Sequence, residues 1–462
     1  APSAALYGRI GVNTVEFGTT NAWLINVISI LTGNMDRRGG EMFTTPVAGG
    51  ATTRGTAGKG KGFSTGRGYS RVSKKPEAIG EYPVAVLAEE ILTAGEGQIH
   101  GFISVAGNPV LSTPHSAQLD RALAELEFMV SIDIYLNETS RHADVILPPP
   151  SALEKDHYDI GLYVYAVRNI ANYSPPVLPR DESSPDEWEI LLKMAGILQG
   201  LGPDNDPHAF DDMLILSSVE SAVKNSQSNI YGRDPQEIMG LLNKEGRRNT
   251  ARMLDFMLQT GPFGAAFGVH ENGASLDLLL ANPHGVDFGA LEPRVPEMLR
   301  TPSGRIEMSP SQLIDDLSRL DASITTVDPE QMLLVGRREL KSNNSWMHNM
   351  NVLTKGSLAC TVHVHPDDAH RLGVVDGDVV RIASRVGEIE IPVEITDAIR
   401  PGVVSVPHGW GHGVPGTSMT VAANKPGVNS NILTDDQVLD PLSGNAVLSG
   451  IPVTVSATVT LR

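Results

Sequence analysis

Apolar residues recur along the chain in two rhythms. From Asn21 to Leu31, NAWLINVISIL puts Trp23, Val27, Ile30 and Leu31 on one helical face, with Gly33 placed to end the helix in a left-handed conformation. This spacing predicts a core helix. GFISVAGNP reads as a strand from Gly101 to Ala106 that stops at Gly107-Asn108-Pro109. PHSAQLDRALAELEF then carries Leu119, Leu123 and Leu126 on one helical face, and FMVSIDIY returns as a continuous apolar strand. A strand–helix–strand unit with parallel strands is right-handed, so Gly107-Asn108-Pro109 and Asp133 belong at one carboxyl edge of a sheet, where open α/β sheets bind ligands. HADVILP adds a further strand, ended by Pro148-Pro149-Pro150.

The polar insert Asn137-Glu138-Thr139-Ser140-Arg141-His142 therefore separates two core strands. In the last third the period falls to two. EIEIPVEIT alternates at Ile389, Ile391, Val393 and Ile395, and Gly387 makes a hairpin with VVRIA before it. With GVVSVPHGW and IPVTVSATVTL this predicts an all-β domain closed into a barrel. Between about 175 and 325 the chain is acidic and mainly helical, and its pattern shows no catalytic constellation. From Gly49 to Lys75 it is Gly-rich and basic without one acidic residue, a composition that predicts a loop with no core of its own.

A chain of 462 residues predicts two or three domains, and 41% hydrophobic with 19% charged residues is a globular balance. No apolar run approaches the length of a spanning helix, so no membrane span is expected. A formal net charge of -18 argues against a nucleic-acid partner. Cys360 is the single cysteine, which excludes a disulfide framework and a cysteine-ligated zinc or iron–sulfur site built from this chain alone. It fits a reducing, cytoplasmic compartment. The chain opens at Ala1 with no secretory signal and already reads as the interior of a fold, so it is expected to be a piece of a longer polypeptide.

Gly62-Phe63-Ser64-Thr65-Gly66 matches the nucleophile-elbow pattern of hydrolases. An elbow needs a buried strand before it and a helix after it, and glycines and lysines surround this one. His363, His365 and His370 with Asp367 and Asp368 suggest a metal site, but strand, helix start and acid-capped first turn explain them better. HGWGHG suits a ligand-lining strand end as well as a plain loop. At the sheet edge the Asp133 carboxylate can accept two donors from a purine-like or pterin-like ring; helix capping by Thr139 beside a solvated acid is the duller account. Asn108, between a glycine and a proline, presents an amide where backbone can approach a ligand.

Several segments together resemble the molybdopterin oxidoreductases with a bis-guanine-dinucleotide cofactor, the family of formate dehydrogenases and of nitrate, polysulfide and dimethyl sulfoxide reductases. They are ILTGNMDRRGGEMF, AGNPVLSTP, SIDIYLNETSRHADVILPPPSALEKD, TPSGRIEMSP, GRRELKSNNSWMHN, HPDDAHRLGVVDGDVVRI and NILTDDQVLDPLSG, in the family's order and spacing. The resemblance implies an α/β fold: a Rossmann-like parallel-sheet core over 1–175, a mainly helical insert over 176–325, and a six-stranded double-psi-type β-barrel over 326–462 that binds the dinucleotide. It implies two pterin guanine dinucleotides around molybdenum or tungsten, and a two-electron reaction on a small substrate. Carried onto this chain, Gly107, Asn108, Pro109, Asp133, Glu138 and Thr139 would hold one dinucleotide. Gly336, Arg337, Trp346, His348, Asn349 and Asn431 would hold pterin and phosphate from the barrel side, and Arg337 suits a phosphate because its fork gives two charge-assisted hydrogen bonds.

Family members begin with a cysteine cluster for a [4Fe-4S] centre, followed by the residue that ligates the metal. Neither lies in this chain, so both are expected in an N-terminal part of the same subunit, and neither a catalytic residue nor a metal ligand is assigned here. Cys360 falls inside the barrel segment and does not replace that ligand. Asp156-His157-Tyr158-Asp159 stands where the family has Gly-Thr-Phe/Tyr-Thr-Asn, which removes a usual sub-family marker. The expected partners are that N-terminal part, an iron–sulfur or electron-transfer subunit, and a small-molecule substrate. A metal-free structural subunit and a non-redox hydratase on the same cofactor are the alternatives.

Overall fold

The computed structural model describes residues 3–56, 58–60, 64–181, 183–324, 331–356 and 359–458. Two compact units result, one from Ala1–Leu6, Ile28–Gly62 and Pro149–Met308, the other from Tyr7–Val27, Phe63–Pro148 and Ser309–Arg462. They interleave along the chain. Helices α1 (Ile10–Asn13) and α2 (Gly18–Leu31) come first. Gly33 adopts φ 67 after α2, as the pattern predicts. The predicted burial is not met: Trp23, Val27 and Ile30 are only half-buried and Leu31 is 73% exposed, whereas Thr20 and Ser29 are buried. The helix packs through its small polar side, with the Thr20 hydroxyl bonded to Asp316 at 3.2 Å.

The basic glycine segment is more ordered than its composition suggests. Strands β1 (Thr65–Tyr69) and β2 (Pro76–Ala78) pair antiparallel. The acids that neutralise the segment lie just beyond it in sequence: Glu77 pairs with Arg67, and Glu90 with Arg71 at 3.2 Å. Of the nucleophile-elbow pattern, Gly62 and Phe63 lie outside the described residues, and Ser64 runs directly into a strand rather than a helix.

Strands β3 (Gly101–Val105), β4 (Phe128–Ile132) and β5 (Val145–Ile146) form a parallel sheet in that order. Helices α3 (Leu87–Leu92), α4 (Pro109–Ser112) and α5 (Ser116–Ala124) contribute Ile91, Val110, Leu119 and Leu123 to a core with Met129 of β4. Val105 pairs with Ile132, so Gly107-Asn108-Pro109 and Asp133 leave the sheet at the same carboxyl edge, as expected.

The other unit is mainly helical. It contains β6 (Arg168–Ala171) and, further along, β7 (Val286–Ala290) as an antiparallel ribbon, with α6 (Glu187–Leu198), α7 (Pro207–Lys224), α8 (Pro235–Leu242), α9 (Asn249–Thr260) and α10 (Leu276–Leu280) between them. Asp186, Asp206, Asp234 and Ser275 cap the helices at which they stand, satisfying first-turn N–H groups. Arg252 is fully buried, its guanidinium held by Asp211 at 2.6 Å and Asp212 at 2.7 Å. The arginine is a charge-paired staple inside a helical core.

After α11 (Ser311–Ile324) come β8 (Met332–Arg337), β9 (Val362–Val364), α12 (Pro366–Leu372), β10 (Val379–Ala383), β11 (Glu388–Ile395), β12 (Val403–Pro407) and β13 (Ile451–Ala457). The six strands close a barrel in the order β10-β11-β9-β12-β8-β13, with β11/β9 and β12/β8 parallel. Alternation along β11 buries Ile389, Ile391 and Val393 in the barrel core, as the sequence predicts. His365 caps α12 by accepting from Asp367 N–H at 3.1 Å, and His363 faces Glu394 at 3.5 Å. Among the described residues no group of three His, Cys, Asp or Glu is placed to hold a metal, nor is any helix long and apolar enough to cross a membrane.

Candidate functional site

The carboxyl edge of the parallel sheet and the loops of the barrel belong to one unit, and together they line a cavity of about 290 Å3. Ala106, Gly107, Asn108, Leu111 and Ser112 supply the sheet side; Asn343, Asn344, Ser345, Trp346, His408 and Gly409 supply the other. The backbone is unusual here. Ala106, Asn343 and Asn344 have φ of 50, 40 and 62, a region that non-glycine residues rarely adopt and that clusters at functional sites. Gly409 has φ 86, and a Cβ there would lie 2.1 Å from the Asn344 carbonyl oxygen.

Behind the lining runs a buried hydrogen-bond chain. The Thr139 hydroxyl accepts from Val110 N–H at 3.1 Å and donates to Asn108 Oδ1 at 2.7 Å. Asn108 Nδ2 donates to Glu138 Oε2 at 2.8 Å, and Glu138 Oε1 meets His412 Nδ1 at 3.1 Å. His412 Nε2 in turn meets His348 Nδ1 at 2.9 Å. Burial opposes the Glu138 carboxylate, but the hydrogen bonds from His412 and Asn108 outweigh it and hold its pKa below the ordinary value.

One tautomer follows from this network. A carboxylate only accepts, so His412 Nδ1 carries the hydrogen it gives to Glu138. Burial, and then the neighbouring His412, push His348 down to about 4, with the Gly409 backbone acting the other way. His408 is likewise pushed to about 4, chiefly by burial. Trp410, 2% exposed, packs its ring 4.3 Å from that of His348. Among the described residues His348 Nε2 and the Trp410 Nε1–H donor are both buried without a hydrogen-bond partner.

These features fit a planar polar heterocycle. The lining offers amides, hydroxyls, neutral imidazole and an indole face, with no Lys, Arg, Asp or Glu among its residues.

Of the residues singled out from sequence, Gly107, Asn108 and Trp346 line the cavity, and Pro109 opens α4 beside it. Glu138, Thr139 and His348 form the chain behind it. Asp133 is occupied locally: Oδ1 accepts from Tyr135 N–H at 3.0 Å and Oδ2 from Asn137 Nδ2 at 3.0 Å, while burial raises its pKa. Asn349 Oδ1 accepts from the N–H groups of Val421 and Ala422, and Asn431 Nδ2 donates to the Leu111 carbonyl at 2.7 Å, so both build the surrounding loops. Gly336 N–H donates to Ser449 Oγ at 3.2 Å. The Arg337 fork is spent on the Ser405 and Thr361 carbonyls, each at 3.1 Å, and on Glu339 at 2.9 Å.

Sequence reasoning missed His412 as the link between Glu138 and His348, and it missed Ala106, Asn343 and Asn344. The glycines around His408 to Gly413 were the available signal, since Gly409 and Gly411 both hold positive φ. Cys360 is half-buried against Val428, and burial raises its pKa to about 11, so its thiol is protonated at neutral pH.

Residues 2–196 match the family described as "Molybdopterin oxidoreductase", and residues 332–452 that described as "Molydopterin dinucleotide binding domain". The alpha subunit of an F420-dependent formate dehydrogenase from Methanocaldococcus jannaschii is 24% identical over 427 residues, 88% of this chain and 54% of that protein. The assimilatory nitrate reductase catalytic subunit of Bacillus subtilis is 24% identical over 322 residues, 68% of this chain and 38% of that protein. The chain thus spans about half the length, or less, of these relatives. In structure it is similar to acetylene hydratase from Pelobacter acetylenicus, with a TM-score of 0.53 at 17% identity, covering 80% of this chain and 46% of that one. With both matched segments falling on the sheet and barrel that line the cavity, the chain belongs to the molybdopterin oxidoreductase family.

Proposed function

We propose that this chain is the cofactor-holding part of the catalytic subunit of a molybdenum or tungsten oxidoreductase, acting on a small substrate in the manner of a formate dehydrogenase or nitrate reductase. The observation that carries the reading is the uncharged, hydrogen-bonding cavity at the carboxyl edge of the sheet, backed by a buried hydrogen-bond chain from Thr139 through Asn108, Glu138 and His412 to His348. When bound, a pterin dinucleotide would bring the metal whose two-electron chemistry the protein orients and tunes.

The chain's own residues do the rest. Asn108, fixed between Glu138 and Thr139, presents an amide whose orientation cannot flip without breaking two hydrogen bonds. Trp346 supplies an aromatic wall. His348, neutral and with Nδ1 committed to His412, steadies the chain behind the lining. The relatives' designations as alpha and catalytic subunits support a partner subunit that passes electrons onward.

Metal analysis of the full-length protein tests the reading. About one Mo or W per chain, with formate-driven reduction or nitrate-driven oxidation of a viologen dye, is the expected result. Metal below about a tenth of an equivalent would sink the enzyme reading in favour of a structural subunit. The fold likeness to acetylene hydratase keeps one second reading: full metal content with hydration of an alkyne and no dye turnover would favour a non-redox hydratase.

A further inference from the structure

One loop of the barrel domain, Asn429 to Gln437, grips the helix α4 at the sheet edge. That helix is four residues long, so its last carbonyls have no partner within it. The loop supplies them: Asn429 Nδ2 donates to the Val110 carbonyl at 2.9 Å and Asn431 Nδ2 to the Leu111 carbonyl at 2.7 Å. Further along, the Thr434 carbonyl accepts from His115 N–H at 2.8 Å, and Asp436 Oδ1 meets His115 Nδ1 at 3.0 Å. His115 stands at φ 50 and ψ 51, a left-handed conformation that a non-glycine residue keeps only when its surroundings hold it. Asn108, Leu111 and Ser112 line the cavity. The loop therefore fixes the sheet-side wall at α4 and again at the residue that opens α5.

The loop is itself held by the turn between β10 and β11. Its own regular structure is a single short 3-10 turn, Ser430–Ile432, and Leu433 anchors it in the barrel core. Gly387 lies so near that a Cβ there would come within 2.5 Å of the Ile432 carbonyl oxygen. Beside that contact, the Arg385 fork donates to both carboxylate oxygens of Asp435. Burial opposes ionisation of Asp435, but Arg385 and the Gln437 N–H outweigh it and hold its pKa below the ordinary value. An exposed ion pair contributes little, because water and salt compete for both partners. Asp435, however, is only 10% exposed, and without Arg385 its remaining hydrogen-bond donor among the described residues is Gln437 N–H at 2.8 Å. Loss of the fork leaves a buried carboxylate poorly satisfied. Arg381 of β10 is the contrast, since it pairs with Glu390 at 3.0 Å with both side chains exposed.

We propose that Arg385 is a positioning residue for the sheet-edge cavity: through Asp435 it fixes the loop that holds α4 and His115, and so sets the wall that faces the cofactor. The inference rests on the oxidoreductase reading for the identity of the ligand alone. Hydrogen exchange of the whole protein, followed by mass spectrometry in peptides spanning 108–116, tests it. Arg385→Gln should speed exchange there about tenfold, Arg385→Lys, which keeps the charge, less than about threefold, and Arg381→Gln not at all. Exchange within β11 and the melting temperature stay as in wild type. Unchanged exchange at 108–116 in Arg385→Gln would overturn the proposal, as would equal acceleration in Arg385→Lys. Acceleration spread evenly over β11 would overturn it too, since that marks lost folding rather than lost positioning. Metal retained through dialysis is read on the same samples, and Arg385→Gln should lose Mo or W about threefold faster than wild type; equal retention counts against the proposal. Wild type without metal sinks the oxidoreductase reading and leaves the exchange result to decide this one.

Discussion

Two cavities among the described residues differ in what their linings offer. The sheet-edge cavity has a lining without formal charge, and the Glu138 carboxylate behind it is buried and spent on Asn108 and His412. The cavity of the helical unit is lined by three arginines and one glutamate, and among the described residues the Arg54 side chain makes no hydrogen bond or ion pair. The first lining offers fixed amides and rings; the second is rich in arginine. The comparison teaches that burial and partners decide what a polar residue can recognise. Arg337 suits a phosphate by type, yet its fork is consumed by the Ser405 and Thr361 carbonyls and Glu339, whereas the Arg54 fork has no partner among the described residues.

The comparison can be broken most forcefully at Glu138. Glu138→Ala leaves the buried Asn108 amide and His412 Nδ1 without an acceptor, and should lower unfolding stability by about 3 kcal/mol. Chemical denaturation measures this, and Glu297→Ala at the other cavity serves as the contrast, with less than about 0.5 kcal/mol expected. A loss as small for Glu138→Ala would mean that the buried chain is not a rigid support.

Gly409→Ala tests the shape of the first cavity. The added Cβ meets the Asn344 carbonyl at a left-handed φ, so about 2 kcal/mol should be lost together with retention of any pterin cofactor. Gly450→Ala, at φ +82 with nothing within 4 Å, isolates the backbone cost alone, about 1 kcal/mol. If the two variants melt together, the loop carrying Asn344 yields to the new methyl.

A further contrast is a pH dependence. His348 and His408, near 4 in the folded protein against an unfolded value of 6.5, bind fewer protons folded than unfolded within that window. Stability is therefore retained above pH 6.5 and falls as pH drops toward 4, by up to about 1.4 kcal/mol per pH unit for each histidine. Melting temperatures measured from pH 7 to 4.5 should show a shallower slope in His348→Gln. Parallel slopes would show that carboxylates elsewhere dominate the acid response.

Local pattern carried much of this structure. Period-two alternation around Ile389, Ile391 and Val393 is enough to specify a barrel strand, because one side of a pleated strand must be apolar to be buried. The strand–helix–strand spacing was enough to bring Asn108 and Asp133 to one sheet edge. Where pattern misled, the reason was a partner that no window of sequence contains. The apolar face of α2 is half-buried although its spacing is that of a core helix, and the basic glycine segment pairs with Glu77 and Glu90, which lie after it.

What the sequence determined by itself is thus the α/β sheet, the barrel, the family, and the set of loops that bear the polar chemistry. Tertiary structure alone decided which of those polar groups are free. His412 reaches Glu138 across 274 residues of chain, and Arg300 reaches the Arg54 carbonyl across 246. Hydrogen-bond capacity is a property of a residue type and can be read from sequence. Whether that capacity is already used depends on atoms that only packing brings within 3 Å.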